Sequence, residues 1–335
     1  MDSLTHIALG ACIGEAFAGK KLGKKAMLWG ALVQSLPDID FIAGTWLNTS
    51  ENLLAHRGFT HSVLFAIIIV PLLALLAEKW HRPHNISLKE WILFFSTEVF
   101  VHLFLDGFNA YGIGWLEPFS HQRFSFNTIF VADPFFSIWA GIAFLMLLVL
   151  KRNNKRRSRW WKLGVILPTA YLFFCCIDKF NIDAAANTAF VNENVQPKKY
   201  FTTPTPFNNL LWYVVAENDS GFYIGYRSLF DKKKDISFQF FPRNEYLLQN
   251  VSDHEELQRL KRFSKGFYIA EKQNDTIIFN DLRFGQIAGW QNPKGPFVFH
   301  YFLQHSDNSL VVQRGRFTGW NRKAFNSLIK RIKGN

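Results

Sequence analysis

Cysteine is scarce in this sequence, with three residues in 335. Cys12, Cys175 and Cys176 all lie in apolar stretches, so they supply neither a disulfide framework nor a cysteine zinc site. Internal repeats and low-complexity tracts are missing too. Aromatic residues make up 17% of the chain, with 36 Phe, which excludes a disordered, collagen-like or coiled-coil protein.

Charge is missing from two long segments, residues 63–77 and 134–150, whereas residues 179–335 are rich in Lys, Arg, Asp and Glu. The net charge of +12 raises the question of nucleic acid binding. However, many of the basic residues flank apolar segments, a pattern that favours membrane topology over nucleic acid. Residues 1–6 lack the basic start of a signal peptide, so we expect the first helix to stay in the mature protein.

Apolar length, rather than periodicity, indicates the helices of the first half. Residues 3–18 and 26–36 are short for full spans and predict an embedded helical hairpin that ends at Pro37. Longer candidates follow at 62–78, 90–108, 134–150 and 161–177. We therefore expect residues 1–178 to form a polytopic α-helical membrane domain of about six helices, the first two short.

Three Lys/Arg-rich connections give this bundle an orientation. They lie at 20–25, 79–89 and 151–162, between the first and second, third and fourth, and fifth and sixth helices. Short basic loops face the cytoplasm. The pattern predicts a multi-pass protein of the bacterial inner membrane, with the C-terminal domain on the outer side.

Residues 179–335 change character and predict a soluble α+β domain. Alternating aromatic segments are separated by turn signals such as 217–221. We predict strands at 211–215, 222–226, 266–272, 276–284, 297–305 and 309–317, and a basic helix near 320–333. A helix at 252–264 opens with a capping box that begins at Ser252, and residues 202–206 form a rigid segment leading into the domain.

Polar residues within the apolar segments are costly and therefore indicate a site. The expected orientation puts all of them at the outer ends of their helices. The candidate metal ligands are Asp2, His6, Asp38, Asp40, His56, His61, His102, Asp106 and Asp133.

Histidine and carboxylate ligands suit Zn²⁺, and also Mn²⁺ or Fe²⁺, and we expect two or three ions. Two metals about 3.5–4 Å apart need a bridging carboxylate, for which Asp38 or Asp40 is suitable. We assign catalytic roles to Asp40 and Arg57. Arg57 either holds an anionic group of the substrate or pairs with a carboxylate ligand.

Simpler structural roles stay open for some of these residues. His6 alone would be an ordinary polar residue near the N-terminus, and Asp38 and Asp40 would cap a loop. Asp133 before Pro134 is typical of a helix start. His61, with His56, and the pair His102 and Asp106 are harder to explain this way, because each would be buried in an apolar helix without a partner.

Four motifs in this order resemble the bacterial YdjM-like family, whose members are described as LexA-regulated or membrane-bound metal-dependent hydrolases. The motifs are residues 2–6, 37–40, 56–62 and 102–106, the last followed by Tyr111 and Gly112. The resemblance covers about residues 1–180 and is strongest to long members with an extra C-terminal domain. It implies an inner-membrane hydrolase.

The ligand order is also similar to that of zinc phospholipase C and the single-strand-specific zinc nucleases, which are α-helical and hold three zinc ions. This chain lacks their N-terminal Trp and a clear second His-x-x-x-Asp/Glu after Asp106. These departures leave a third metal open.

The expected activity is hydrolysis of a phosphoester in a phospholipid or a lipid-linked phosphate. A nuclease-like phosphodiesterase is the second enzyme hypothesis, although the charge pattern makes a nucleic acid partner unlikely. A metal-binding or transport protein without turnover is the rival from another class, since intramembrane His and Asp also mark ion pathways. A C-terminal binding module anchored by the bundle is a further alternative.

Overall fold

The computed structural model describes residues 1–82, 85–233, 235–303 and 321–334. It divides into two compact units. The helical unit comprises Met1–Trp46 and Ala55–Cys175, and the sheet unit comprises Leu47–Leu54 and Cys176–Asn335. A helical N-terminal region is thus followed by a sheet-containing C-terminal one, as the composition predicts.

Every helix predicted for the first half is present. The α-helices are α1 (Ser3–Leu22), α2 (Lys24–Ser35), α3 (Thr49–Ala55), α4 (Val63–His81), α5 (Leu88–Asp106), α6 (Pro134–Val149) and α7 (Arg157–Asn192). Two 3-10 helices, Leu36–Thr45 and Phe59–His61, follow α2 and precede α4. The short α3 was not predicted.

Side-chain caps set the starts of several helices. Asp2 accepts a hydrogen bond from Thr5 N at 3.0 Å at the start of α1, and Ser62 accepts one from Phe65 N at 3.0 Å at the start of α4. These caps satisfy backbone N–H groups that have no partner within the helix.

The helices α1 and α2 form a hairpin whose backbones touch through glycines. A Cβ added at Gly30 would lie 2.0 Å from Gly10 O, and one added at Gly14 would lie 2.2 Å from Ala26 O. Only glycine fits at these positions. Within a lipid bilayer the hydrophobic effect does not drive helices together. Helices there pack by close approach of their backbones through small residues.

Two helices of the described chain, α4 and α7, are long and apolar enough to cross a membrane, while α6 is apolar but shorter. The expected six spans are therefore not confirmed. Helix α2 has 12 residues, about 18 Å of helix, which is too short for a bilayer core of about 30 Å. Helix α5 carries Glu98 and Asp106 in its apolar stretch. Large apolar side chains such as Ile67, Phe100 and Phe173 are nevertheless exposed, as on a lipid-facing surface.

The sheet unit contains two antiparallel sheets. The first has the order β1 (Lys199–Pro204), β2 (Leu211–Glu217), β3 (Gly221–Ser228) and β4 (Gln239–Pro242). The second has the order β5 (Tyr268–Gln273), β6 (Thr276–Gln286) and β7 (Phe297–Phe302). Helices α8 (His254–Phe263) and α9 (Arg322–Ile332) complete the described part, and a core that includes Phe201, Phe222, Ile269 and Phe297 joins the sheets.

Three local predictions for this unit need comment. Residues 202–204 do not form a separate leading segment but pair with β2 as part of β1, where Thr202 faces Val214. Asp253, not Ser252, caps α8, because its carboxylate accepts the hydrogen bond from Glu256 N at 2.8 Å. The strand predicted at 309–317 lies outside the described residues.

Candidate metal centre

Four of the predicted ligands converge in the helical unit. Asp38 lies on the 3-10 helix after α2, His61 ends the 3-10 helix before α4, and His102 and Asp106 lie one turn apart at the end of α5. One ligand atom from each of the four lies within 4.8 Å of the others, and all but Asp38 are buried. We call these four residues the ligand cluster.

The closest atoms of the ligand cluster are two imidazole nitrogens. His61 Nε2 and His102 Nε2 are 3.1 Å apart. Asp38 Oδ1 lies 3.5 Å from His61 Nε2 and 3.7 Å from His102 Nε2. Asp106 Oδ2 lies 3.5 and 3.7 Å from the same two nitrogens.

Hydrogen bonds at the far side of each ring determine which nitrogen carries the proton. His102 Nδ1 faces the backbone carbonyl of Gln34 at 2.5 Å, and a carbonyl can only accept, so Nδ1 donates. His61 Nδ1 faces Asp40 Oδ2 at 3.3 Å, which favours the same tautomer. Both Nε2 atoms then present lone pairs to each other and to two carboxylates. A cation among these four atoms removes the repulsion.

His6 lies beside the ligand cluster. Its Nε2 is 3.2 Å from Asp106 Oδ1, and its ring stacks on His102 with centroids 3.9 Å apart. The Met1 amino group also contacts Asp106 Oδ1. Among the described residues, His6 Nδ1 is buried without a hydrogen-bond partner, and Asp106 Oδ2 makes no hydrogen bond although the charged Arg57 side chain lies 3.1 Å away. Buried polar atoms left in this state are expensive, and a bound ion would satisfy the carboxylate.

Asp40 lies next to the ligand cluster but outside it. Its Oδ1 is 3.2 Å from His56 Nδ1, and its Oδ2 accepts a hydrogen bond from Arg57 N at 2.6 Å and also faces His61. The carboxylate therefore holds three neighbours in place. Of the two predicted bridging residues, the geometry puts Asp38 in the cluster and Asp40 behind His61, where it fixes the orientation of that ring.

Both of these aspartates are ionised despite their burial. Burial alone would raise the pKa of Asp38, but this carboxylate faces the His61 and His102 rings, and its pKa lies below the ordinary value. The pKa of Asp40 is likewise lowered, because bonds with His56 and His61 exceed the effect of burial. The centre thus presents negative charge at neutral pH.

Arg57 adopts a backbone conformation that is unusual for a non-glycine residue, with φ of 59°. This turns its side chain inward, where Nε lies 3.1 Å from Asp106 Oδ2 and Nη1 donates to Asn109 Oδ1 at 2.7 Å. The guanidinium also stacks on Tyr111, 5.2 Å from the ring centroid. Burial lowers the pKa of Arg57 to about 10, which leaves it charged.

Two predicted ligands lie apart from the ligand cluster. The Asp2 carboxylate caps α1 through Thr5 N and Thr5 Oγ1. The Asp133 carboxylate caps α6 at Phe135 N and also accepts from Tyr171 Oη at 3.0 Å. Both carboxylates thus cap helices. For Asp133, this is the structural alternative that the sequence analysis left open.

Sequence reasoning missed two contributors to the centre. Asn109, which is buried, orients Arg57 and also accepts a hydrogen bond from Tyr111 N at 3.0 Å. The Gln34 carbonyl fixes His102. A backbone carbonyl has no signature in the sequence, and Asn109 stands outside every motif.

The helical half of the chain matches a known family. The family model described as YdjM inner membrane protein matches residues 1–182, just over half of the chain. The chain belongs to this family. No solved structure matches it.

Two curated proteins are similar to this chain. Inner membrane protein YbcI of Escherichia coli (strain K12) is 32% identical over 123 residues, which are 36% of this chain and 69% of YbcI. Uncharacterized protein YfhP of Bacillus subtilis (strain 168) is 32% identical over 173 residues, which are 45% of this chain and about half (51%) of YfhP. The family identity predicted from the four motifs is confirmed.

Proposed function

We propose that this protein is a membrane-bound metal-dependent hydrolase that cleaves a phosphoester in a phospholipid or lipid-linked phosphate. The observation that carries the proposal is the pair of facing Nε2 atoms of His61 and His102. The carboxylates of Asp38 and Asp106 flank this pair. Nitrogen and oxygen donors in this proportion fit Zn²⁺, and also Mn²⁺ or Fe²⁺.

Asp38, His61, His102 and Asp106 would hold a divalent ion, with His6 beside them. Such an ion supplies Lewis acidity and lowers the pKa of water at the site. The described residues form one group of this kind. A second or third ion, as the sequence predicts, would draw on Asp40 and His56.

The pair of Asp40 and His56 offers a route for protons. The His56 side chain is 40% exposed, and its Nδ1 bonds to Asp40, which leaves Nε2 directed away from that carboxylate. An imidazole oriented by a carboxylate is a common general acid or base. We assign proton transfer to His56, the positioning of His56 and His61 to Asp40, and the positioning of Asp106 to Arg57.

Apolar side chains exposed next to the centre support a lipid substrate. Leu4, two residues before His6, is 78% exposed, and Phe41, beside Asp40, is 72% exposed. Phe59, two residues before His61, is also exposed. Apolar groups around a polar site are suited to the boundary between headgroups and acyl chains.

The positions of the basic residues support an outer-face site. The ligand cluster lies at the start of α4 and the end of α5, whereas Lys20 and Lys21 end α1 and Lys79 ends α4. If the basic ends face the cytoplasm, the centre and the sheet unit are on the outer side of a multi-pass protein.

A transport role is the second candidate, and one observation favours it. Glu98, one turn before His102 on α5, and Gln34 on α2 are fully buried, and the Gln34 side-chain amide lies 2.6 Å from Glu98 Oε2. Polar groups deep in a helical bundle are typical of ion pathways. Glu98→Gln separates the two functions, because it would abolish transport but spare hydrolysis.

Metal analysis paired with a substrate panel tests the proposal. The panel contains phospholipids, prenyl phosphates and single-stranded DNA. We expect turnover of a lipid phosphate that chelator abolishes. His56→Gln should keep the metal and lose most of the turnover, whereas Asp38→Asn should lose both.

Asp2→Asn, which changes a carboxylate outside the ligand cluster, is the matched control and should keep both properties. Less than about 0.2 equivalents of metal in folded protein never exposed to chelator would overturn the metal centre. Full metal content with no turnover on the whole panel would favour the non-catalytic candidate.

A further inference from the structure

A polar cavity lies in the helical unit, away from the ligand cluster. Its volume is about 540 Å³, and it is formed by the last turns of α1, the connection between α6 and α7, and the start of α7. Glu15 and Lys20 on α1 line it, 9 and 14 residues beyond His6. At 1.5 Å per residue, the cavity is about 14–21 Å along α1 from the metal centre.

The floor of this basic cavity is a closed ion pair. Arg157 Nε donates to Glu15 Oε1 at 2.7 Å, and Nη2 donates to Glu15 Oε2 at 2.5 Å. Arg157 Nη1 also donates to the carbonyls of Leu147 and Leu150. Both side chains of the pair are buried. The floor is thus rigid and neutral.

The rim of the cavity carries positive charge without compensation. Lys20, Arg152, Lys155 and Lys162 line it, and Glu15, which Arg157 neutralises, is its single acidic lining residue. Arg152 is oriented by hydrogen bonds to the carbonyls of Lys20 and Lys21. Within the described part of the chain, the ammonium groups of Lys20, Lys155 and Lys162 have no hydrogen bond or ion pair. Four cations around one cavity repel each other unless an anion joins them.

Aromatic residues beside the rim indicate that it lies at the level of the lipid headgroups. Trp161 lines the cavity beside Trp160, and Lys162 Nζ lies 5.7 Å from the Trp161 ring centroid. Tryptophan is enriched where headgroups meet acyl chains. The N-terminal end of α7 borders the cavity, and its helix dipole adds to the positive field.

We propose that this cavity binds a phosphate group presented by an anionic phospholipid headgroup. Basic pockets between helices on the cytoplasmic side are suited to such headgroups, since they combine fixed cations with an adjoining apolar surface. The site is independent of the metal centre and of the hydrolase function proposed for it.

The alternative is that these lysines only set membrane topology, in which case their position around a cavity is irrelevant. Two lysine pairs distinguish the possibilities. Lys155→Gln with Lys162→Gln removes two rim charges. Lys24→Gln with Lys25→Gln removes two exposed charges from the basic start of α2, which does not line the cavity.

The test measures binding to the full chain in neutral detergent at 0.15 M salt. The probes are short-chain phosphatidylglycerol, short-chain phosphatidylcholine and inorganic phosphate. We expect saturable binding of phosphatidylglycerol, weakened at least about tenfold in the rim pair and less than about twofold in the Lys24/Lys25 pair. The thermal unfolding midpoint should be equal in all variants, which shows that they are folded.

Equal losses in both lysine pairs would overturn the proposal, because binding would then follow net charge alone. Equal affinity for phosphatidylcholine would also overturn it. Inorganic phosphate that binds as tightly as phosphatidylglycerol would overturn the assignment to a lipid.

Discussion

The helical unit buries two charged groups that differ in how they are satisfied. Glu15 and Arg157 match each other, with both carboxylate oxygens bonded to the guanidinium and the remaining donors on carbonyls. In the ligand cluster, by contrast, the Nε2 lone pairs of His61 and His102 face two carboxylates, and Asp106 Oδ2 makes an ion pair with Arg57 but no hydrogen bond among the described residues. Burial of charge alone therefore does not identify a site. An excess of acceptors does.

Removal of Arg157 should have the largest effect on stability. Arg157→Met leaves Glu15 buried and unpaired, which should cost about 3–5 kcal/mol of unfolding free energy. Denaturant unfolding in detergent measures the cost. Glu15→Gln added to Arg157→Met should recover most of the lost unfolding free energy, because no unpaired buried charge remains. A loss below about 1 kcal/mol in the single variant would show that the pair is solvated rather than closed.

Metal bound to the ligand cluster should stabilise the folded protein against unfolding. At a Zn²⁺ concentration of one hundred times its Kd, the free energy of unfolding should rise by about 2.7 kcal/mol. Asp38→Asn should lose this gain, because the ligand cluster keeps only one of its two carboxylates. Thermal unfolding with and without Zn²⁺ gives both values, and Asp2→Asn is the control. A gain of equal size in Asp38→Asn would place the ion elsewhere.

Arg57→Lys should weaken the metal centre by a smaller amount. A lysine ammonium cannot span Asp106 and Asn109 as the guanidinium does, so we expect metal affinity to fall about tenfold and activity to fall with it. Isothermal titration measures the affinity. Arg57→Gly relieves the left-handed backbone but removes the charge, and should bind metal more weakly still. Unchanged affinity with reduced kcat/KM would instead assign Arg57 to the substrate.

Asn109→Ala should have the smallest effect. It removes one acceptor for Arg57 and one for Tyr111 N, at a cost of about 1 kcal/mol in unfolding free energy. Metal affinity should fall less than in Arg57→Lys, because the contact between Arg57 and Asp106 remains. A loss larger than that of Arg57→Lys would make Asn109 the principal support of the centre.

The structure brings four of the nine candidate ligands together, and the positions of these four are constrained twice in the sequence. His102 and Asp106 are one helical turn apart, and the basic connections place them at the same end of the bundle as Asp38 and His61. Asp2 and Asp133 share that end but cap α1 and α6. An aspartate before a helix has the same appearance in a sequence whether it binds metal or backbone N–H groups.

Other features depend on contacts between distant segments and could not be predicted. Leu47–Leu54 belongs to the sheet unit although it is surrounded in sequence by the helical unit, and α3 has seven residues, too few for a periodic signal. Strand β1 ends at Pro204, within the segment 202–206 that we expected to lead into the domain. At an edge, however, proline loses no ladder hydrogen bond.

The contact between Gly10 and Gly30 has a consequence for biogenesis. His6, one turn from Gly10 on the first arm of the hairpin, stacks on His102, and the Gln34 carbonyl on the second arm accepts from His102, so the two arms must close before His102 is held in place. An ion would then bind to the ligand cluster only after the hairpin has inserted and closed correctly. Metal retention in a newly made chain would thus report on its assembly. The first detectable effect of a bulky residue at Gly30 would be a newly inserted chain that lacks metal.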